Sequence, residues 1–263
     1  MISILQDITH QRALDAVAEC GAPLSNPLRP LPGTPSFHAA LAAPGLSVIA
    51  EVKRKSPSRG DLAAIADPVA LASDYAEGGA AAISVLTEPH RFGGRDEDLQ
   101  QVVASLSTPA LRKDFVSNAF QIHQAKALGA SAVLLIVALF PGVLHLRQLL
   151  ETAHALKLDV LVETHDADEL HRAIEAGARI IGVNHRNLRD FTMDMGLFER
   201  LRASIPSGIV TVAESGIMNA ADANRMRDAG ADAILVGELL ARSANPRQEL
   251  ERLLGRQSVA EVM

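Results

Sequence analysis

Between residues 47 and 236, short apolar runs rich in Val, Ile and Ala alternate with longer stretches whose apolar positions recur every three to four residues. The short runs suit strands buried on both faces, and the longer stretches suit amphipathic helices packed against them. Four segments join the two patterns in one way: Gly79-Ala80-Ala81-Ala82-Ile83, Gly129-Ala130-Ser131-Ala132-Val133, Gly177-Ala178-Arg179-Ile180-Ile181 and Gly230-Ala231-Asp232-Ala233-Ile234. A glycine just past a helix end supplies the left-handed residue that stops it, and the apolar run behind it starts a strand. The junctions recur about every fifty residues, with a further strand-like run between each pair, so two β/α units fit each interval.

The pattern predicts strands over Ser47 to Val52, Ala81 to Leu86, Pro109 to Lys113, Ala132 to Val137, Asp159 to Glu163, Ile180 to Val183, Ile209 to Ala213 and Ala233 to Val236. Helical periodicity fills the gaps, for example Asn118 to Leu128, Leu144 to Leu156, Ala167 to Ala176 and Ala220 to Ala229. Eight alternating units point to an α/β fold, an eight-stranded parallel β/α (TIM) barrel. A doubly wound open sheet would carry a glycine-rich fingerprint at its first β-to-α turn, and Lys53 to Gly60 lacks one. Residues 1–46 read as an N-terminal helical extension capping the barrel of residues 47–263, with a helix over Leu5 to Glu19, a Pro-rich link from Pro23 to Pro35 and a short helix around Phe37 to Leu41.

Within the first strand, period two sends Glu51 and Lys53 to one side, among Val48, Ala50 and Val52. Ions in an apolar strand are costly unless paired or used, although Lys53-Arg54-Lys55 also fits a solvated basic turn. Barrel chemistry sits where strands end, and polar residues collect there. Glu51, Lys53 and Ser56 follow the first strand, Arg112-Lys113-Asp114 the third, Glu163 the fifth, Asn184-His185-Arg186 the sixth, Glu214-Ser215-Gly216 the seventh and Gly237-Glu238 the eighth. Such crowding moves pKa values towards a working range. Ser215-Gly216 and Gly237-Glu238 occupy the loops where barrels hold phosphate through backbone N–H groups, and Lys53, Ser56 and Arg186 share that rim. A small phosphorylated molecule is the ligand this pattern suggests.

Composition narrows the classes. Of 263 residues 48% are hydrophobic, enough for a sizeable core, while aromatic residues are 3%, with no Trp and one Tyr. With a net charge of −6, that argues against a nucleic-acid partner. A single cysteine, Cys20, allows neither an internal disulfide nor a thiolate metal site and suits a reducing cytoplasm. The first residues contain Asp7 and lack the basic start of a secretory signal, and the longest apolar run, Ala132 to Leu144, is broken by Pro141 and too short for a membrane span. A soluble protein is expected, with no membrane partner. His123, His145, His154 and His171 lie in helical patterns and are expected on the outer surface, without zinc-ligand spacing; His185 should alternate away from Asn184 and Arg186. Phe140 and Phe198 read as packing residues.

Taken in order, Ile49-Ala50-Glu51-Val52-Lys53-Arg54-Lys55-Ser56-Pro57-Ser58, Ile83-Ser84-Val85-Leu86-Thr87-Glu88, Leu111-Arg112-Lys113-Asp114-Phe115, Leu134-Leu135-Ile136-Val137-Ala138, Leu161-Val162-Glu163, Ile181-Gly182-Val183-Asn184-His185-Arg186-Asn187-Leu188 and Val212-Ala213-Glu214-Ser215-Gly216-Ile217 resemble the indole-3-glycerol phosphate synthase family of tryptophan biosynthesis. The match spans essentially the whole barrel. The resemblance implies ring closure of 1-(2-carboxyphenylamino)-1-deoxyribulose 5-phosphate with release of carbon dioxide and water, without metal or cofactor. By position it makes Lys113 the acid that activates the ketone, Lys53 the group that steers the carboxylate and acts in dehydration, and Glu163 the base or proton shuttle. Glu51 and Glu214 would hold the lysines, and Asn184 would bond the substrate. Ser56, Arg186, Ser215, Gly216, Gly237 and Glu238 would take the phosphate, and Phe92 and Phe115 would line the anthranilate pocket.

Three positions depart from the family's usual pattern: Arg95 after Gly93-Gly94, His185, and Gly237-Glu238-Leu239 without a hydroxyl. Two other readings stand beside this one. A related phosphate-binding barrel, phosphoribosylanthranilate isomerase, would use a Cys and an Asp at strand ends, whereas Cys20 precedes the barrel. A ligand- or partner-binding barrel without catalysis would lack a member of the charged cluster, and all are present. Association with other enzymes of the pathway has no signal in the chain.

Overall fold

Period-two alternation divides every strand between two apolar clusters, one inside the barrel and one beneath the helices. On β1 (Ser47–Val52) Ile49 faces the interior, and Val48, Ala50 and Val52 pack outward. The interior also receives Ala82 from β2 (Ala82–Leu86), Leu111 from β3 (Ala110–Lys113), and Ala132, Leu134 and Ile136 from β4 (Ala132–Ile136). Leu161 from β5 (Asp159–Thr164), Ile180 from β6 (Ile180–Asn184), Val210 and Val212 from β7 (Val210–Glu214), and Ala233 and Leu235 from β8 (Ala233–Val236) complete it. All eight strands are parallel, each pairs with its neighbours in chain order, and β8 closes on β1 with Ser47 opposite Ala233. The barrel expected from the pattern is the barrel found.

The computed structural model describes residues 4–19, 28–56, 60–62, 65–188 and 191–256. Boundaries differ from expectation by a residue or so, for local reasons. Asn118 is the cap of its helix, its side chain accepting from the Gln121 N–H, so the helix itself is Ala119–Ala127. Val137 opens a one-turn 3-10 helix, which ends β4 at Ile136. Asn184 and Glu214, expected just past their strands, are their last residues and stand opposite each other in the β6–β7 ladder. Their side chains therefore enter the mouth from backbone still held by the sheet. Among the described residues no helix is long and apolar enough to cross a membrane.

The segments ahead of β1 serve opposite ends. α1 (Ile4–Glu19) lies over the C-terminal mouth: Leu5 and Ile8 join the interior cluster, and Arg12 donates to both oxygens of Asp114, just past β3, at 3.0 and 2.8 Å. α2 (Phe37–Leu41) closes the other end with Phe37 and Leu41 fully buried, and the His38 N–H donates to Asp159 at the start of β5. Part of the expected Pro-rich link, and Cys20, fall outside the described residues.

Candidate active site

The inward positions that are apolar lower in the barrel become ionic at the top of the same strands. Glu51, two residues above Ile49, is buried and forms an ion pair with Lys53 Nζ at 3.1 Å. It lies against Gly237, where an added Cβ would come within 2.6 Å of Glu51 Oε1. Lys53 also sits 5.9 Å from the centre of the Phe92 ring, and Phe92 lies 5.9 Å from Phe115. The basic run therefore divides: Lys53 faces the mouth, while Arg54 turns outward to Asp98 of the helix Asp96–Ser105 and Lys55 is exposed.

Lys113, at the end of β3, spans the opening. Its ammonium donates to Glu163 Oε2 on β5 at 3.2 Å and to Glu214 Oε2 on β7 at 3.1 Å. Asn184 Nδ2 on β6 donates to Glu163 Oε1 at 3.0 Å. Burial alone would depress the lysine, but Glu214, Glu163 and Glu51 together hold it above its ordinary value, so it enters any reaction as an ammonium. Burial pushes Glu214 up to about 8, Lys113 opposing and Glu163 reinforcing the rise. Glu163 goes the other way: burial works against its charge, yet Lys113, His165 and Asn184 bring it below the usual carboxylate range. Two carboxylates on one lysine are thus driven apart, the condition under which one keeps a proton while the other stays ionised.

These residues line a cavity of about 350 Å³, within the range that takes a small molecule. Its apolar side is formed by Phe92, Phe115, Leu134, Ile136 and Leu188. Phe92 is held by Glu88, whose carboxylate accepts from the N–H groups of His90, Arg91 and Phe92. Arg186, Ser215, Gly216, Gly237 and Glu238 also line the cavity. Ser215 has φ 68°, a left-handed conformation that is costly for a residue with a Cβ, and Gly216 follows at φ 80°. Phe191, on the same cavity, has φ 60°, and strain retained in a mouth is a mark of function. Ser56 belongs to a two-residue ribbon, Lys55–Ser56 paired with Gly60–Asp61, and its side chain lies outside the described set. A wider, open depression of about 620 Å³ contains Glu199 and Arg225 and none of the strand-end residues.

The histidine expectations hold in part. His123, His145 and His171 are exposed, and His154 is half-buried. His185 is 1% exposed and turned from the cavity as alternation required, its Nδ1 at 2.9 Å from the Ser215 carbonyl. Arg95 is exposed and precedes its helix without a side-chain cap. Two residues, His165 and Gly182, and one link, from Arg12 to Asp114, add to the expected site. His165, just past β5, lies 3.2 Å from Glu163 and 2.9 Å from Glu169. Gly182 leaves room for Glu214, since a Cβ there would fall 2.0 Å from Glu214 Oε1. Behind Lys113, Asp114 gathers Arg12, Arg112 and Thr87, tying α1 to the strand that carries the lysine. Parity could have found His165, which has the spacing from Glu163 that Lys53 has from Glu51. Nothing local signals the other two.

Residues 5–253 match the family model described as Indole-3-glycerol phosphate synthase. The chain belongs to that family. Its similarity to individual members is extensive: 47% identity over 248 residues with the indole-3-glycerol phosphate synthase of Mycolicibacterium gilvum, covering 94% of this chain and 89% of that one. With indole-3-glycerol phosphate synthase 1 of Streptomyces coelicolor the identity is 51% over 216 residues, 82% of this chain and 80% of the relative. Among solved structures, 3-hexulose-6-phosphate synthase from Salmonella typhimurium superposes with TM-score 0.63 at 14% identity, covering 81% of this chain and all of that one. A chain of the tryptophan synthase complex of Pyrococcus furiosus does so with TM-score 0.59 at 15% identity over 80% and 97%. At such identities these two share the fold alone. Family membership sets aside the isomerase reading.

Proposed function

We propose that this mouth carries out the indole-3-glycerol phosphate synthase reaction, with Lys113, Lys53 and Glu163 moving the protons. One observation carries the reading: Lys113, kept cationic between Glu163 and Glu214, faces the same small cavity as the Lys53–Glu51 pair and the two phenylalanines. The substrate brings an anthranilate ring, a ketone and a phosphate. Phe92 and Phe115 offer the ring an apolar wall, and Arg186 with Ser56 and the N–H groups around Ser215, Gly216, Gly237 and Glu238 hold the phosphate.

The ring carbon bearing the carboxylate attacks the ketone carbon. Lys113 gives its proton to the ketone oxygen as that C–C bond forms, leaving a hydroxyl. Lys53 attracts the carboxylate. The bond to carbon dioxide then breaks, its electron pair restoring the aromatic ring. In dehydration the hydroxyl leaves as water with a proton from Lys53, and Glu163 accepts the proton lost from the CH2 beside nitrogen. Glu51 and Glu214 hold the two lysines in position, and Asn184 orients Glu163 and the substrate. The balance is one carbon dioxide and one water lost, with no oxidation or reduction.

Adding 1-(2-carboxyphenylamino)-1-deoxyribulose 5-phosphate to the purified protein tests the reading. Indole fluorescence rising with time is the expected result. Binding of the substrate without indole emission would contradict it and leave a barrel that binds without catalysis.

A further inference from the structure

Glu163 is gripped unevenly. Its Oε2 accepts from the Lys113 ammonium at 3.2 Å, whereas Oε1 meets both Asn184 Nδ2 at 3.0 Å and His165 Nε2 at 3.2 Å. The His165 contact has ion-pair distance without the alignment of a directed hydrogen bond, and Nε2 is buried with no other partner. The opposite nitrogen, Nδ1, is 2.9 Å from Glu169 Oε2. Glu169 is fixed in its turn. It is the third residue of the helix Ala167–Ala176, its N–H bonds to the capping Asp166, and its carboxylate accepts the His165 backbone N–H at 2.8 Å.

Glu169 therefore does more than cap a helix. A cap is satisfied by the backbone N–H alone. The same oxygen also takes the imidazole, so a fixed anion stands behind a ring whose other nitrogen faces the base. His165 does not line the cavity, and what it does to the reaction it does through Glu163.

We propose that His165, anchored by Glu169, is a positioning residue for the Glu163 base: it holds Oε1 from behind and leaves Oε2 as the oxygen presented to the substrate. This rests on the reading of Glu163 as the base. The charged groups facing Glu163 are Lys113 from β3, Glu214 from β7 and His165 from the end of its own strand; Glu169 faces His165 from the helix. Burial works against a charged ring, but Glu163 and Glu169 raise His165 to about 10, so the support behind Glu163 is a cation at neutral pH. When Lys113 turns to the ketone, that cation keeps Glu163 ionised and aimed.

His165→Phe keeps a ring of similar size and removes both nitrogens. With the fold intact by circular dichroism, kcat falls about ten- to a hundredfold with KM changed little, because the base is misplaced rather than the substrate lost. Loss of the cation also raises the Glu163 pKa, so the acid limb of the pH–kcat profile moves to higher pH. Glu169→Gln moves both in the same direction by less. In the Glu163→Gln background His165→Phe should have no further effect on kcat, since its route is gone. If His165→Phe alone keeps wild-type kcat and an unmoved acid limb, or if its effect persists in full beside Glu163→Gln, the proposal is overturned. If instead Glu163→Gln itself keeps wild-type turnover, it is the assignment of the base that fails.

Discussion

The two ends of the barrel are built from the same eight strands and have opposite chemistry. At the N-terminal end, inward positions are Ile49, Ala82, Ala132, Ile180, Val210 and Ala233, and α2 presses Phe37 and Leu41 onto them. A few residues further along these strands, inward positions hold Glu51, Glu163, Asn184 and Glu214, and Lys113 ends its strand beside them. Hydrophobic burial stabilises the first end, and desolvated ions burden the second. The molecule tolerates the cost of the mouth because the apolar end and the outer cluster hold the strands in register. Stability and chemistry are thereby assigned to different layers, and substitutions can separate them.

Phe37→Ala should have the largest effect on stability, about 3–5 kcal/mol by denaturant titration, with kcat of the folded fraction unchanged. A loss of kcat in the folded fraction would break the division. Glu163→Gln should do the reverse: kcat falls roughly a hundred- to a thousandfold while the unfolding midpoint moves little. A smaller effect is expected at Gly182→Ala, whose methyl would displace the Glu214 carboxylate; kcat drops about tenfold, and the accompanying Glu214→Gly change, which removes the clash, should make the alanine tolerable in thermal unfolding. The subtlest test uses pH. Glu214 at about 8 and His165 at about 10 both keep their protons in the folded protein beyond the pH at which they lose them unfolded, so the folded state binds more protons and stability falls as pH rises. The melting temperature should decline from pH 6 towards pH 9, and Glu214→Gln should flatten the lower part of that decline. An unchanged slope in the variant would show that Glu214 does not carry the proton.

Much of this is legible in the amino-acid sequence. Strands and helices are readable because their signals are local: short apolar runs, helical periodicity between them, and a Gly-Ala junction after four of the helices. The mouth is readable because Lys113, Glu163 and Glu214 stand at the ends of the third, fifth and seventh runs, and a closed barrel must bring such ends together. Except for His165, whose partners are near in sequence and which parity could have found, what escaped depends on distances between segments remote in the chain. The Arg12–Asp114 pair joins residues 102 positions apart, and Gly182 is required only because Glu214 lies across it. His165 looked like any polar residue after a strand; only the joint presence of Glu163 and Glu169 gives it a part. The charges of Lys53, Arg54 and Lys55 could be divided between mouth and surface only once Asp98 was seen to take Arg54.

Lys113 as proton donor to the ketone, above layers that supply fold rather than chemistry, is the assignment on which the mechanism depends. Single-turnover measurement of Lys113→Ala, with substrate binding followed in the same samples, decides that assignment. The account predicts indole formation at least a thousandfold slower than in the unaltered protein, an unfolding midpoint close to the original, and retained binding through the phosphate rim and the aromatic wall, since a general acid contributes on the order of 10²–10⁴ and the Coulombic hold on the intermediate adds to it. Turnover at the unaltered rate in folded Lys113→Ala would rule Lys113 out as the acid.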